Sequence, residues 1–228
     1  MTMDSALMRF LQEDYPMHLG LEKGQKVTVQ RKEYGKGEFD FRDENDRKDE
    51  KKEWFSSRIR NESNTPFEVI SFEAYIDMLR SDKRIKIKDM NKKCDLVFGP
   101  VEGRAFIMFN ELTYAWQKAI DEPFDNPKTG KCECGKRAKA QKQLAESIKR
   151  FYEVGKLLDE YEKKIALFSF RLKDNDDKAE ENMLSFMKGM NELELDSNIP
   201  DNPFPDVHGF TLLGFSVVSK INRSGIVA

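Results

Sequence analysis

The stretch Cys94–Tyr114, CDLVFGPVEGRAFIMFNELTY, decides the fold. Leu96, Val97 and Phe98 form a short apolar run, and Arg104 to Thr113 form a second run rich in Phe, Ile and Met. Gly99-Pro100 and Gly103 stand between them, where a tight turn needs a fixed proline φ and a permissive glycine. The reading is a β-hairpin, with strands at about 94–99 and 104–113. In an antiparallel pair the start of the first strand lies beside the end of the second. Asp95 is at that start and Glu111 near that end, so two carboxylates fall close together in an otherwise apolar hairpin. Like charges repel, and burial worsens the repulsion. A cation, a basic side chain or a proton must offset it. The plainer alternative is a pair of strand-end carboxylates held in water or in salt bridges.

Helical patterns flank the hairpin. Ser71 is a capping residue ahead of FEAYIDMLR, where Phe72, Tyr75, Ile76 and Leu79 recur at helical spacing. RIKIK, 84–88, alternates like a strand. Lys136 to about Lys163 reads as one long helix, with Leu144, Ile148, Phe151, Gly155 and Leu158 along its stripe and Val154, Leu157 and Tyr161 widening it. Its first turns are polar on the same tracks: Arg137, Lys139, Gln141, Gln143 and Ser147. IALFSFRL, 165–172, is a buried strand. A helix at about 176–193 and a strand at 210–218 follow. The element order predicts an α/β fold: a mixed sheet with an α-β-β-β-α-β core, an additional α-β unit and an N-terminal extension, residues 1–70.

In that extension, residues 4–14 read as a short amphipathic helix ended by Pro16, and KVTVQR, 26–31, as a strand. Residues 35–53 are almost wholly polar and are expected to form a solvated, mobile insertion. Residues 117–135 form a long irregular stretch, a length that is uncommon without a function or disorder.

Charged residues make up 35% of the 228-residue chain, yet the formal net charge is only −2, which argues against nonspecific coating of nucleic acid. A local basic patch remains: Lys83, Arg84, Lys86, Lys88, Lys92 and Lys93 precede Asp95. It fits a nucleic-acid backbone and fits equally a solvated strand edge. Trp54, Phe55, Tyr114 and Trp116 are candidates to stack bases, or core residues. No apolar run is long enough for a membrane span, and the N-terminal residues lack the basic start and apolar stretch of a signal peptide. The 3 cysteines do not make a disulfide scaffold, and a cytoplasmic setting is expected. Cys132 and Cys134 are one residue apart, closer than paired zinc ligands usually stand, and read as exposed reduced thiols. There is no phosphate-binding P-loop, no HExxH and no GxSxG, and His18 and His208 leave little for histidine-centred catalysis.

An acid on the second core strand, an acid near the end of the third, and this element order resemble the PD-(D/E)XK nuclease superfamily. The resemblance covers about residues 71–172, within a nuclease-like domain at 71–228. It implies a metal-dependent nuclease that hydrolyses phosphodiester bonds of DNA or RNA. It implies Asp95 and Glu111 as ligands of Mg²⁺ or Mn²⁺, and Glu73 on the first helix as a further acid. The third-strand motif of the superfamily reads Glu-x-Lys, whereas here it is Glu111-Leu112-Thr113. Some members carry the basic residue on the following helix, which makes Lys139 the first candidate and Arg137 the second. A helix glutamine is frequent near such sites, and Gln143 or Gln141 matches it. Other members have lost activity and serve as modules that bind protein or nucleic acid, so that alternative stands beside the first.

Overall fold

The computed structural model describes residues 5–42, 57–61, 65–85, 87, 93–115, 120, 123–126, 130–172, 211–215, 217–222 and 225–227. Its centre is a six-stranded mixed sheet in the order β1-β4-β5-β6-β9-β10. These strands are β1 (Arg31–Tyr34), β4 (Phe67–Ser71), β5 (Leu96–Pro100), β6 (Phe106–Ala115), β9 (Lys163–Leu172) and β10 (Thr211–Phe215). The first three pairings, β1 to β6, are antiparallel. The last two, β6 with β9 and β9 with β10, are parallel. A second sheet, in the order β12-β11-β3-β2, combines β2 (Gly37–Phe41), β3 (Ser57–Asn61), β11 (Val217–Asn222) and β12 (Gly225–Val227). β7 (Phe124–Asn126) and β8 (Lys131–Glu133) form a separate two-stranded ribbon. The fold is α/β with a mixed sheet, and the 94–114 hairpin is its middle, turning at Gly103 with φ +80.

The central sheet is covered on both faces. On one face, Ile70, Val97, Ile107, Phe109 and Ala166 pack against helices: α1 (Ala6–Arg9), α3 (Phe72–Ser81) and α4 (Lys136–Val154). On the other, Phe67, Val69, Phe98, Met108, Ile165 and Leu167 pack against Phe41 and Ile59 of the second sheet. β6 is buried on both sides, which is why FIMF is an unbroken apolar run instead of an alternating one.

Several sequence expectations are corrected. The polar stretch 35–53 is not wholly a solvated loop: Gly37–Phe41 is a strand and Phe41 is buried, while 43–53 lie outside the described residues. The strand expected at 26–31 starts only at Arg31. Val27 and Val29 alternate because both bury side chains from irregular chain. At 84–88 the described residues 84, 85 and 87 form no strand. Ile85 is buried and Ile87 packs beside it, so the alternation reflects two anchors in a loop. The strand that the sheet uses instead is β4. The long helix stops at Val154, because Gly155 is extended and a 3-10 turn, Leu157–Glu160, follows. Leu157, Leu158 and Tyr161 still bury, turned back onto the same core. The single strand expected at 210–218 is two strands in two different sheets, β10 and β11. The helix expected at 176–193 lies outside the described residues.

Pro16 does not end the N-terminal helix. A π-helical turn, Phe10–Asp14, joins α1 to α2 (Tyr15–His18), with the Tyr15 N–H donating to the Phe10 carbonyl. That leaves two carbonyls without their ordinary donors. Leu11 O accepts from the Tyr75 hydroxyl at 2.8 Å. Gln12 O, which a proline cannot serve, accepts from Val27 N–H at 3.1 Å. The proline is tolerated because tertiary donors replace the missing one.

Candidate functional site

Leu96 pairs with Asn110 in the β5–β6 ladder, and Val97 with Phe109. Continuing the register by one residue sets Asp95 directly opposite Glu111. Directly opposed residues project from the same face, with Cβ atoms about 4.5–5.5 Å apart. That face is the helical one, since Val97, Ile107 and Phe109 share its parity and pack under α4. Glu111 is buried. Asp95 is partly buried, and its Oδ2 accepts from Leu112 N–H at 2.6 Å, so the ladder itself orients the carboxylate. Its carbonyl accepts from Phe72 N–H at 2.8 Å and Glu73 N–H at 3.4 Å, at the start of α3. α3 is therefore docked by its first turn onto the residue that carries the acid.

α4 is fastened to the same point. Gln143 Nε2 donates to Lys93 O at 2.9 Å, and Cys94 N–H donates to Ser147 Oγ at 2.9 Å. Ser147 in turn donates to Gln143 O at 2.9 Å. The Gln143 Oε1 atom is buried and has no donor among the described residues, next to the strand start that carries Asp95. Burial pushes the Cys94 thiol well above its usual pKa, and the charges of Glu111 and Asp95 push it the same way. Cys94 is thus a protonated core residue, not a nucleophile.

The other sequence candidates are separated by the helical geometry. Lys139 is exposed. Arg137 is partly buried, and its guanidinium carbon lies 5.8 Å from the Phe168 ring centroid and 6.0 Å from that of Phe170. Phe168 is the register partner of Glu111, and Phe170 that of Thr113. Glu73 faces Lys93: the ammonium is 3.8 Å from Glu73 Oε1, 3.3 Å from Glu73 O and 2.5 Å from Asp77 Oδ1. Lys93, read in the sequence as part of a basic patch, is in fact buried and ties the strand start to α3. Of that patch, Lys86, Lys88 and Lys92 lie outside the described residues, as do Trp54, Phe55 and Trp116. Cys132 and Cys134 are free and exposed. Among the described residues, no three of His, Cys, Asp and Glu converge as a metal-binding group. No helix among them is long and apolar enough to cross a membrane.

The site therefore sets Asp95 across from Glu111, with Gln143 tied to Lys93 O two residues before Asp95 and Arg137 over the adjacent strand. It leaves Lys139 outside and engages Glu73 elsewhere. No family model, no curated protein and no solved structure matches the chain.

Proposed function

We propose that this chain is a metal-dependent nuclease of the PD-(D/E)XK kind, acting on phosphodiester bonds of DNA or RNA. One observation carries the reading: the β5–β6 register, which, extended one residue past Leu96 and Asn110, opposes Asp95 to Glu111 on the helical face of the central sheet. The element order supports it in a revised form. β4, β5 and β6 are antiparallel, α4 follows and β9 runs parallel to β6, a β-β-β-α-β order with α3 inserted between β4 and β5 and the β7–β8 ribbon before α4, while β1, β2 and β3 separate the N-terminal helical run from β4.

Two opposed carboxylates fit Mg²⁺ or Mn²⁺, which are commonly held by one or two carboxylates together with substrate phosphate oxygens. Asp95 and Glu111 are the residues that would hold the ion, which would supply Lewis-acid polarisation and a more acidic water. In hydrolysis a water oxygen bonds to phosphorus, the P–O ester bond breaks, and the leaving oxygen takes up a proton. The chain's own contribution is positional. Leu112 N–H fixes Asp95, the α3 and α4 contacts fix the strand start, and Gln143 Oε1 can accept a hydrogen bond from an oriented water.

The second reading, a catalytically inactive module of the same fold that binds protein or nucleic acid, is favoured by Thr113 in the place of the motif lysine and by the exposure of Lys139. The experiment that separates them is cleavage of duplex and single-stranded DNA and of RNA in Mn²⁺, with Asp95→Ala alongside. The nuclease reading expects cleavage by the wild type and none by the variant, with the variant still folded by circular dichroism. Binding without cleavage in the wild type selects the module.

A further inference from the structure

Cys132 and Cys134 stand on a short path between two fixed points. Cys132 is in β8, held in register against Asp125 of β7. Cys134 is followed at once by Gly135, the buried N-cap of α4, whose carbonyl accepts from Lys139 N–H at 3.0 Å. Both thiols are free and exposed, whereas Cys94 is buried in the core. The chain is extended on either side of Cys134: β8 ends at Glu133, and Gly135 has φ −54 and ψ 154. Extended chain alternates its side chains, so residues two apart share a face. The two cysteines therefore present to the same side of one segment.

That spacing selects among the things two thiols can do. Over two residues an extended chain advances about 6.8 Å. This is the upper limit of Cα separation for a disulfide, about 6.8 Å, so closing one would bend the segment away from β7. An ion between the sulfurs spans farther. It adds two metal–thiolate bonds, each about 2.3 Å for zinc, in place of one S–S bond of about 2.05 Å. Zinc takes four ligands, and among the described residues no third His, Cys, Asp or Glu joins the pair. Soft thiolates favour Cu(I), whose filled d shell is satisfied by two sulfurs in line.

We propose that Cys132 and Cys134 form a two-thiolate site for a soft monovalent cation, Cu(I). Each thiol gives up one proton, two sulfur–copper bonds form, and no electron moves. The bridged centre carries one net negative charge. It lies at the start of a 19-residue helix with no acid in its first turn, the end of a helix that favours an anion. The site uses none of the residues of the nuclease reading and does not depend on it.

The test titrates the full chain, reduced and free of oxygen, against the coloured Cu(I)–bicinchoninate complex. Wild type should take one copper per chain and bleach the dye. Cys132→Ser and Cys134→Ser, both at exposed positions, should each bind at least about 100-fold more weakly, the upper end of what loss of an outer partner alone costs a metal site. Without copper, both should melt at the wild-type temperature. Cys94→Ala should keep the uptake. Iodoacetamide on the native wild type, which reaches exposed thiols and spares the buried one, should abolish it, and this arm does not depend on Cys94→Ala folding. A wild type that leaves the copper with the dye overturns the proposal, and so do single-serine variants that match wild type. Uptake that survives alkylation of Cys132 and Cys134, verified by mass spectrometry, overturns it as well. One copper per two chains, with a dimer in sedimentation, replaces the site by a bridge between chains. Displacement of the copper by excess Zn²⁺ overturns the choice of ion.

Discussion

Buried acids lie on the helical side of the central sheet at opposite ends of β5: Glu68 at one, and Glu111 beside the partly buried Asp95 at the other. At one end Glu68, the register partner of Gly99, is fully buried, and each of its oxygens has a dedicated partner. The Ser5 hydroxyl donates to Oε1, and Arg31 Nη1 donates to Oε2 at 3.2 Å. Ser5 also caps α1 by accepting from Met8 N–H, so the acid anchors the start of a helix. At the other end, the β5–β6 register carried one residue past Leu96 and Asn110 sets the partly buried Asp95 across from the buried Glu111, and Arg137 of α4 lies over Phe168 and Phe170 of the next strand. A buried acid with a private set of partners is architecture. On the nuclease reading proposed above, two acids on neighbouring strands would share a cation, and that difference would separate scaffold from site.

The comparison breaks most sharply with a metal. Mn²⁺ should stabilise wild type and Glu68→Gln alike, by about 2.7 kcal/mol at a hundredfold excess over Kd, and should leave Glu111→Gln unshifted. Thermal melts with and without Mn²⁺ measure this, and an equal shift in all three proteins would erase the distinction between the two ends.

Next in size is the loss of the scaffold acid. Glu68→Ala leaves the Ser5 hydroxyl and the Arg31 guanidinium without their acceptor and should cost about 1–3 kcal/mol in urea denaturation, with Mn²⁺ binding intact. A variant as stable as the wild type would show that the cluster is dispensable.

The same residue gives a pH signature. Burial raises the Glu68 pKa; its bonds to Ser5 and Arg31 oppose that, and the nearby charge of Glu33 adds to it. A carboxyl whose folded pKa is raised takes up a proton on folding. Its stabilising share is complete below the unfolded value, about 4.3, and is lost as pH rises through the folded value. The stability of wild type minus that of Glu68→Gln should therefore fall as pH rises across that window. Urea titrations at stepped pH check the sign, and a difference that grows with pH contradicts it.

The smallest effect belongs to Lys139. Its exposure predicts that Lys139→Ala changes stability by no more than about 0.5 kcal/mol and leaves cleavage unchanged. A large loss of activity would give the basic role to Lys139.

Much of this was readable in the residues. Glycine and proline punctuation located the 94–114 hairpin, and the antiparallel geometry of that hairpin sets Asp95 near Glu111. The stripe Phe72, Tyr75, Ile76 and Leu79 located α3, and all four are buried. What misled were short patterns with two physical origins. Ile85 and Ile87 alternate as in a strand yet anchor a loop, while FEVIS, too short to show a period and buried at its first four positions, is the strand. Followed back past Leu144, the α4 stripe runs through the buried Ala140 to the partly buried Arg137, while Lys139 faces water. The tertiary donors that rescue the Pro16 turn lie 15 and 64 residues from their acceptors, and no local pattern could have announced them.

Those donors also bear on the order of folding. An ordinary helix closes its own ladder and can serve as a seed. The run from Ala6 to His18 cannot, because two of its carbonyls stay unserved until Val27 and Tyr75 arrive. Its geometry is bought by contacts that exist only after the sheet and α3 have met, so it belongs among the last pieces to lock, with φ-values near zero. The segment at the start of the chain is thus a closing bolt and not a nucleus.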